Sequence, residues 1–317
     1  MYYVGVDLGG TNIAAGLVDE SGKIISQSHV PTIKERHPDE IVADMAMLAK
    51  KVTEDAGVKL EEVVAVGIGC PGTVNSATGE VVYSNNIVME HYPLAEVFKK
   101  HLDLPVVLEN DANAAALGEY MTLEEKVNSF VFMTLGTGVG GGIILDGKIY
   151  RGFNGAGAEI GHQTLVFGGK RCTCGRYGCL ESYASVTALI SQTREAIEAH
   201  PESMMAEWAR EKGKVSGRTA FECAAKGDAY AIEVRDRYIE YVGEGICSIV
   251  NVLQPEVLAI GGGISREGDK LLGPIKEYFA VNDFNKYMPK CEIRIAKLFG
   301  DAGIVGAAGA AMIEYSK

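Results

Sequence analysis

The alternation of apolar and polar positions divides the first 32 residues into three strands joined by tight turns. Tyr3, Gly5 and Asp7 alternate with Val4, Val6 and Leu8, and the turn Gly9-Gly10-Thr11-Asn12 follows. A second strand is expected over residues 13–19 and a third from Ile24, after the Ser21-Gly22 turn. Over residues 38–56 the period lengthens to that of a helix, with Ile41, Met45, Leu48 and Val52 on one face and Gly57 as the stop. Strands are expected at 63–68 and 106–109, the latter running into a helix over 112–120. Further on, 228–253 reads as helix, 257–260 as strand, 270–280 as helix and 292–298 as strand, with a last helix from Ala302.

At Phe130 the opening pattern returns. Residues 130–135 form an apolar strand, Gly136-Thr137-Gly138-Val139-Gly140-Gly141-Gly142 reads as a glycine turn, and a return strand starts at Ile143. Asp146-Gly147-Lys148-Ile149 then echoes Ser21-Gly22-Lys23-Ile24. Leu8 and Leu135 lie 135 − 8 = 127 residues apart, too long a period for a solenoid unit, so the pattern indicates a duplicated domain. Two similar α/β lobes facing a cleft are the simplest architecture.

A length of 317 residues suits two domains, and 47% hydrophobic with 23% charged residues is ordinary for a globular chain. The formal net charge of −12 repels phosphate backbones and anionic lipid, so neither nucleic acid nor membrane is an expected partner. No basic residue precedes the first strand, no apolar run is long enough to span a bilayer, and a cytoplasmic location is expected. Three of the seven cysteines crowd between Cys172 and Cys179, which in a reducing compartment favours metal over disulfides.

Each repeat places a glycine turn between two strands, where backbone N–H groups can approach phosphate oxygens without interference from Cβ. Asp7, just before the first turn, is placed to orient hydrated Mg²⁺ on such phosphates, and Thr11 and Thr137 add hydroxyl donors. Tight hairpins would look the same. Gly261-Gly262-Gly263 follows a strand and is either a nucleoside contact or an ordinary strand-to-helix turn. No Walker A lysine pattern occurs. Glu109-Asn110-Asp111-Ala112-Asn113 lies where a strand meets a helix. There Asp111 is either the helix N-cap or the carboxylate that accepts a proton from an attacking hydroxyl, with Asn110 orienting the same substrate. His162, Cys172, Cys174 and Cys179 make a set suited to a closed Zn²⁺ site, the alternative being unrelated buried cysteines. Glu159 and Glu181 flank that loop, and carboxylates bind vicinal sugar hydroxyls well.

Together these motifs resemble the ROK family of repressors and sugar kinases, within the actin–hexokinase–Hsp70 ATPase superfamily. The resemblance covers essentially the whole chain. It rests on Asp7-Leu-Gly-Gly-Thr-Asn12, Gly67-Ile-Gly-Cys-Pro-Gly72, Glu109-Asn-Asp-Ala-Asn113, Leu135-Gly-Thr-Gly-Val-Gly140, Gly155-Ala-Gly-Ala-Glu-Ile-Gly-His162 and the run from Cys172 to Glu181. It implies two actin-like (ribonuclease H-like) lobes, residues 1–118 with 302–317 and residues 119–301, with a ligand cleft between them and a small zinc-bound loop in the second. By the same resemblance, the alanine- and glycine-rich segment 304–312 returns to the first lobe rather than forming a subunit interface. Asp111 is then the general base of an ATP-dependent sugar kinase, and Gly72, Asn110, Glu159, His162 and Glu181 line the sugar site. The nucleotide falls to Asp7, Gly9, Gly10, Thr11, Asn12, Thr137, Gly138, Gly262 and Gly263, and the zinc-bound histidine uses its second ring nitrogen on the sugar. The Cys-x-Cys-x4-Cys spacing is similar to the glucokinase and N-acetylmannosamine kinase branches. Glucose is the leading substrate, with N-acetylmannosamine, mannose or fructose as alternatives, and a homo-oligomer (dimer or tetramer) is expected. The family's repressors carry a helix-turn-helix domain ahead of the first phosphate motif, for which no room is expected before Asp7.

Overall fold

The computed structural model describes residues 1–84, 87–125 and 127–316. The expected lobes also include Asn85, Asn86, Lys126 and Lys317, which lie outside the described residues. In chain order, β1 (Tyr2–Leu8), β2 (Asn12–Asp19) and β3 (Ile24–Pro31) form a meander, and α1 (Pro38–Asp55) leads to β4 (Val63–Cys70). The small strands β5 (Thr73–Asn75), β6 (Glu80–Ser84) and β7 (Met89–Tyr92) come next, then α2 (Leu94–His101), β8 (Val106–Asn110) and, directly on its end, α3 (Asp111–Met121). The second half contains β9 (Ser129–Leu135), β10 (Val139–Leu145) and β11 (Lys148–Ile149). Helices α4 (Glu181–Ala184), α5 (Val186–Ala199), α6 (Met204–Lys212), α7 (Gly217–Ala225) and α8 (Ala229–Leu253) follow. The chain closes with β12 (Val257–Gly261), α9 (Asp269–Asn282), β13 (Glu292–Ile295) and α10 (Ala302–Tyr315).

The two five-stranded sheets have the same plan, β3-β2-β1-β4-β8 and β11-β10-β9-β12-β13. Strands β1 and β9 stand 127 residues apart along their whole length, so the repeat in the sequence is a repeat of topology. In the first sheet β1, β4 and β8 run parallel, with Asp7 level with Gly69 and Gly69 level with Glu109. Their C-terminal ends therefore share one edge, the usual place for ligands in α/β sheets.

Two compact units result, residues 1–128, 142–158 and 297–317 in one, 129–141 and 159–296 in the other. In the first, the apolar face of α1 (Ile41, Met45, Leu48, Val52) joins Val4, Val6, Ile68 and Phe98 in the main core. Helix α10 covers the opposite face with Tyr3, Val18 and Ala65, and it is buried from Ala302 through Met312. Gly5 and Gly67 are paired in register, and a Cβ on them would meet the Ile304 and Ala307 carbonyl oxygens at 1.9 and 1.7 Å. Backbone contact of this kind explains why the terminal helix is built of alanine and glycine, and it places segment 304–312 in the first unit, as expected. In the second unit Tyr238, Ile246 and Val250 of α8 are buried, and α9 packs along α8.

Three expectations change. The second glycine turn is only Gly136-Thr137-Gly138, because β10 already begins at Val139. Strand β13 ends at Ile295 rather than at residue 298, since the N–H groups of Lys297 and Leu298 both donate to the buried Glu119 carboxylate, at 2.8 and 2.7 Å. The β5–β7 sheet and helices α2 and α4–α7 were not foreseen. All but α5 are too short to fill the window of about 11–18 residues over which a period shows: β5–β7 have three to five residues, α4 has four, and α2, α6 and α7 have eight or nine. Among the described residues no helix is long and apolar enough to cross a membrane.

Candidate active site

In the first unit the parallel strand ends bring Asp7, Gly72, Asn110 and Asp111 to one edge. The N-cap of α3 is Asn110 and not Asp111: its Oδ1 accepts from the N–H of Ala112 and Asn113 at 3.0 and 3.1 Å. The same side chain donates from Nδ2 to the Gly72 carbonyl at 3.0 Å. Gly72 has φ 99°, and a Cβ there would meet the Tyr83 carbonyl oxygen at 2.2 Å, so only glycine can supply this acceptor. Asn110 does the capping, and the Asp111 carboxylate beside it accepts from Ala112 N–H through Oδ1 at 2.9 Å.

Burial raises the Asp111 pKa, partly opposed by hydrogen bonds from Ala112, from its own N–H and from Asn110. Asp7 is pushed up to about 6, mainly by burial and then by repulsion from Asp111. Two carboxylates that disfavour each other's charge are a marker of a functional site. They also cost stability. The folded pKa of Asp7, about 6, lies above its ordinary 3.8, so its ionisation opposes folding at neutral pH and the cost is relieved as pH falls through about 6. Asp7→Asn should therefore raise the melting temperature at about pH 8, by an amount worth at most about 3 kcal/mol, and the gain should shrink toward about pH 5. An unchanged or pH-independent melting temperature would contradict this electrostatic picture.

The first turn closes with Gly9 N–H donating to the Asn12 carbonyl at 3.0 Å and with the Thr32 hydroxyl on the Gly9 carbonyl at 2.6 Å. Gly10, Thr11 and Asn12 are exposed, and a Cβ on Gly10 would meet nothing within 4 Å. The packing of the chain itself thus gives no reason for glycine at position 10.

In the second unit Gly136 N–H donates to the Gly138 carbonyl at 3.0 Å. The start of α5 braces that turn, with Val186 N–H on the Gly136 carbonyl at 2.8 Å and the Thr187 hydroxyl on the Thr137 carbonyl at 2.7 Å. Thr187 had no sequence signal, since no motif marks it as the partner of this turn. Glu181 links this turn to the cysteine loop. Its Oε2 accepts from Val139 N–H at 3.1 Å and its Oε1 from the Thr173 hydroxyl at 3.0 Å. A Cβ on Gly138 would come within 2.3 Å of Glu181 Oε2, so a side chain there would push that carboxylate aside. Gly262, with φ 85°, follows β12 beside Leu135, and its carbonyl accepts from the Ser265 N–H and hydroxyl; Gly263 then opens a 3-10 turn. Glu159 is exposed and its carbonyl accepts from His162 N–H at 3.0 Å.

The donor atoms of His162, Cys172, Cys174 and Cys179 lie within 4.8 Å of one another. Cys172 Sγ is 3.6 Å from His162 Nδ1, and Cys174 Sγ is 3.7 Å from Cys179 Sγ. Zn–S bonds of about 2.3 Å in a tetrahedron put sulfurs about 3.8 Å apart, so the donor set fits Zn²⁺ in both chemistry and spacing. Nδ1 is the ring nitrogen of His162 turned to the Cys172 thiol.

The chain matches the ROK family profile over residues 3–313. It is 37% identical to a glucokinase of Halalkalibacterium halodurans, over 96% of this chain and 93% of the relative. To a glucokinase of Streptomyces coelicolor it is 39% identical, over 96% of each. The crystal structure of a ROK family glucokinase from Streptomyces griseus, in complex with glucose and AMPPNP, has a TM-score of 0.83 at 36% identity and covers 98% of both chains. Profile, relatives and fold agree over nearly the full length: the chain belongs to the ROK family and has its α/β kinase fold.

Proposed function

We propose that this protein transfers the terminal phosphate of ATP to the 6-hydroxyl of glucose, giving glucose 6-phosphate and ADP. It is a hexose kinase, and Asp111 is its general base. The observation that carries the reading is the Asp7–Asp111 pair at the strand ends, each with a raised pKa. An alcohol attacking a phosphoryl group needs one carboxylate in reach of its proton, and desolvation makes that carboxylate the more basic. Asp111 accepts the proton of the 6-hydroxyl as the new O–P bond forms and ADP leaves. Asp7 holds hydrated Mg²⁺, which when bound offsets the phosphate charge.

The sugar is held by Gly72, Asn110 and Asp111 of the first lobe and by Glu159, His162 and Glu181 of the second. Gly9, Gly10, Thr11, Asn12, Thr137, Gly138, Gly262 and Gly263 serve the nucleotide, and a phosphate drawn close to the backbone gives position 10 the reason for glycine that packing does not. Zn²⁺ on His162, Cys172, Cys174 and Cys179 organises the loop that carries Glu181. The functional lobes are actin-like, 1–118 with 302–317 and 119–301, in a cytoplasmic homodimer or homotetramer. Relatives 36–39% identical that are glucokinases support glucose over the other hexoses.

A coupled ADP-release assay over a sugar panel tests the reading. Leaving one buried hydrogen-bonding group unpaired costs about 1–3 kcal/mol, or roughly five- to a hundred-fold, so galactose should lose at least that much in kcat/KM. Glucose should win over mannose, fructose, galactose and N-acetylmannosamine. Preference for N-acetylmannosamine or fructose by about tenfold would overturn glucose as substrate, and no ADP release with any sugar would sink the kinase reading.

A further inference from the structure

Glu109 is the penultimate residue of β8 and only 1% exposed. Both of its carboxylate oxygens are engaged. Oε2 accepts from Arg151 Nε at 2.8 Å and lies 2.5 Å from Arg151 Nη2. Oε1 accepts from the Asn110 N–H at 3.0 Å and from Asn113 Nδ2 at 3.2 Å. These last two contacts bracket Asp111 along the chain, one on the residue before it and one in the first turn of α3. Arg151 stands at the base of a closed loop, where its carbonyl accepts from Gly157 N–H at 2.9 Å. A carboxylate buried this deeply depends on its counter-charge, and a guanidinium supplies two fixed donors where an ammonium supplies a point charge.

We infer that Arg151 is a positioning residue for the reaction: its guanidinium fixes Glu109, and Glu109 fixes the Asn110–Asn113 turn that aims the Asp111 carboxylate. The inference rests on Asp111 being the base. A pair that only stapled the loop would lower stability and leave turnover per folded molecule unchanged. A positioning pair lowers kcat itself, because misplacement by about 1 Å from a remote mutation can cost about 100-fold.

The test uses full-length Arg151→Met, Arg151→Lys, Glu109→Gln and the double variant Arg151→Met/Glu109→Gln, with kcat, both KM values and the melting temperature measured on each. Arg151→Met should lower kcat by about 10–100-fold while the KM for ATP stays within about threefold, and Arg151→Lys should fall between it and the wild type. The double variant, with no buried charge left unpaired and the Asn110 N–H still served by glutamine, should regain about tenfold over Arg151→Met. In an Asp111→Asn background, Arg151→Lys should cost less than about twofold more, since nothing remains to be aimed. The inference is overturned if folded Arg151→Lys and Arg151→Met keep kcat within about twofold of wild type, or if Arg151→Lys costs as much without Asp111 as with it. Should Arg151→Met fail to fold, Arg151→Lys decides alone. Wild-type turnover on the sugar panel judges the kinase reading separately, so the two failures are distinguishable.

Discussion

Asp111→Asn should lower kcat by about 10²–10⁴-fold while sugar binding changes little. The substitution is close to isosteric, and the amide oxygen of asparagine can still accept from Ala112 N–H as Oδ1 does now. Helix α3 keeps its cap because the cap is Asn110. What disappears is the proton acceptor. The wild-type pH profile provides a second reading of the same group. A base must be ionised to act, and burial raises the pKa of Asp111 while Asp7 sits at about 6, so kcat/KM should fall on the acid side well above the ordinary 3.8. The two carboxylates interact, and the limb belongs to the pair rather than to either residue. A folded Asp111→Asn protein with more than about a tenth of wild-type kcat would end the general-base assignment.

Removal of the metal should have the next largest effect. Purified protein should carry about one zinc per chain, and Cys174→Ser should lower that content, since each lost thiolate leaves an incomplete tetrahedron. The loop between His162 and Glu181 has few apolar side chains with which to hold itself: Phe167 is 98% exposed and Tyr177 57%. Glu181 reaches the loop through Thr173 and Cys172, and its other oxygen holds Val139 N–H beside the second glycine turn. Metal loss should therefore release Glu181 and raise the KM for sugar by about tenfold or more, with a smaller change for ATP. Elemental analysis finding no zinc in carefully prepared protein, or a Cys174→Ser variant with unaltered sugar affinity, would count against the site.

Much of this molecule follows from short-range pattern. The alternation in residues 2–8, the apolar run at 130–135, the 127-residue offset between them and the crowding of Cys172, Cys174 and Cys179 involve neighbours in sequence, so they can be read without a fold. The strand-end placement of the two carboxylates was legible for the same reason, because Asp7 precedes a glycine turn and Asp111 lies where a strand meets a helix. Their mutual repulsion was not, since it depends on β1, β4 and β8 lying side by side. Tertiary structure also removed one of two local readings of Asp111, that of helix cap, by giving the cap to Asn110 and anchoring that side chain on Gly72, 38 residues away. Glu109 and Arg151 meet across 42 residues, as do Val139 and Glu181. No propensity or spacing marks such partners in advance. Burial selects them, because a charge or polar group taken out of water must find whichever complement the packed chain brings within about 3 Å.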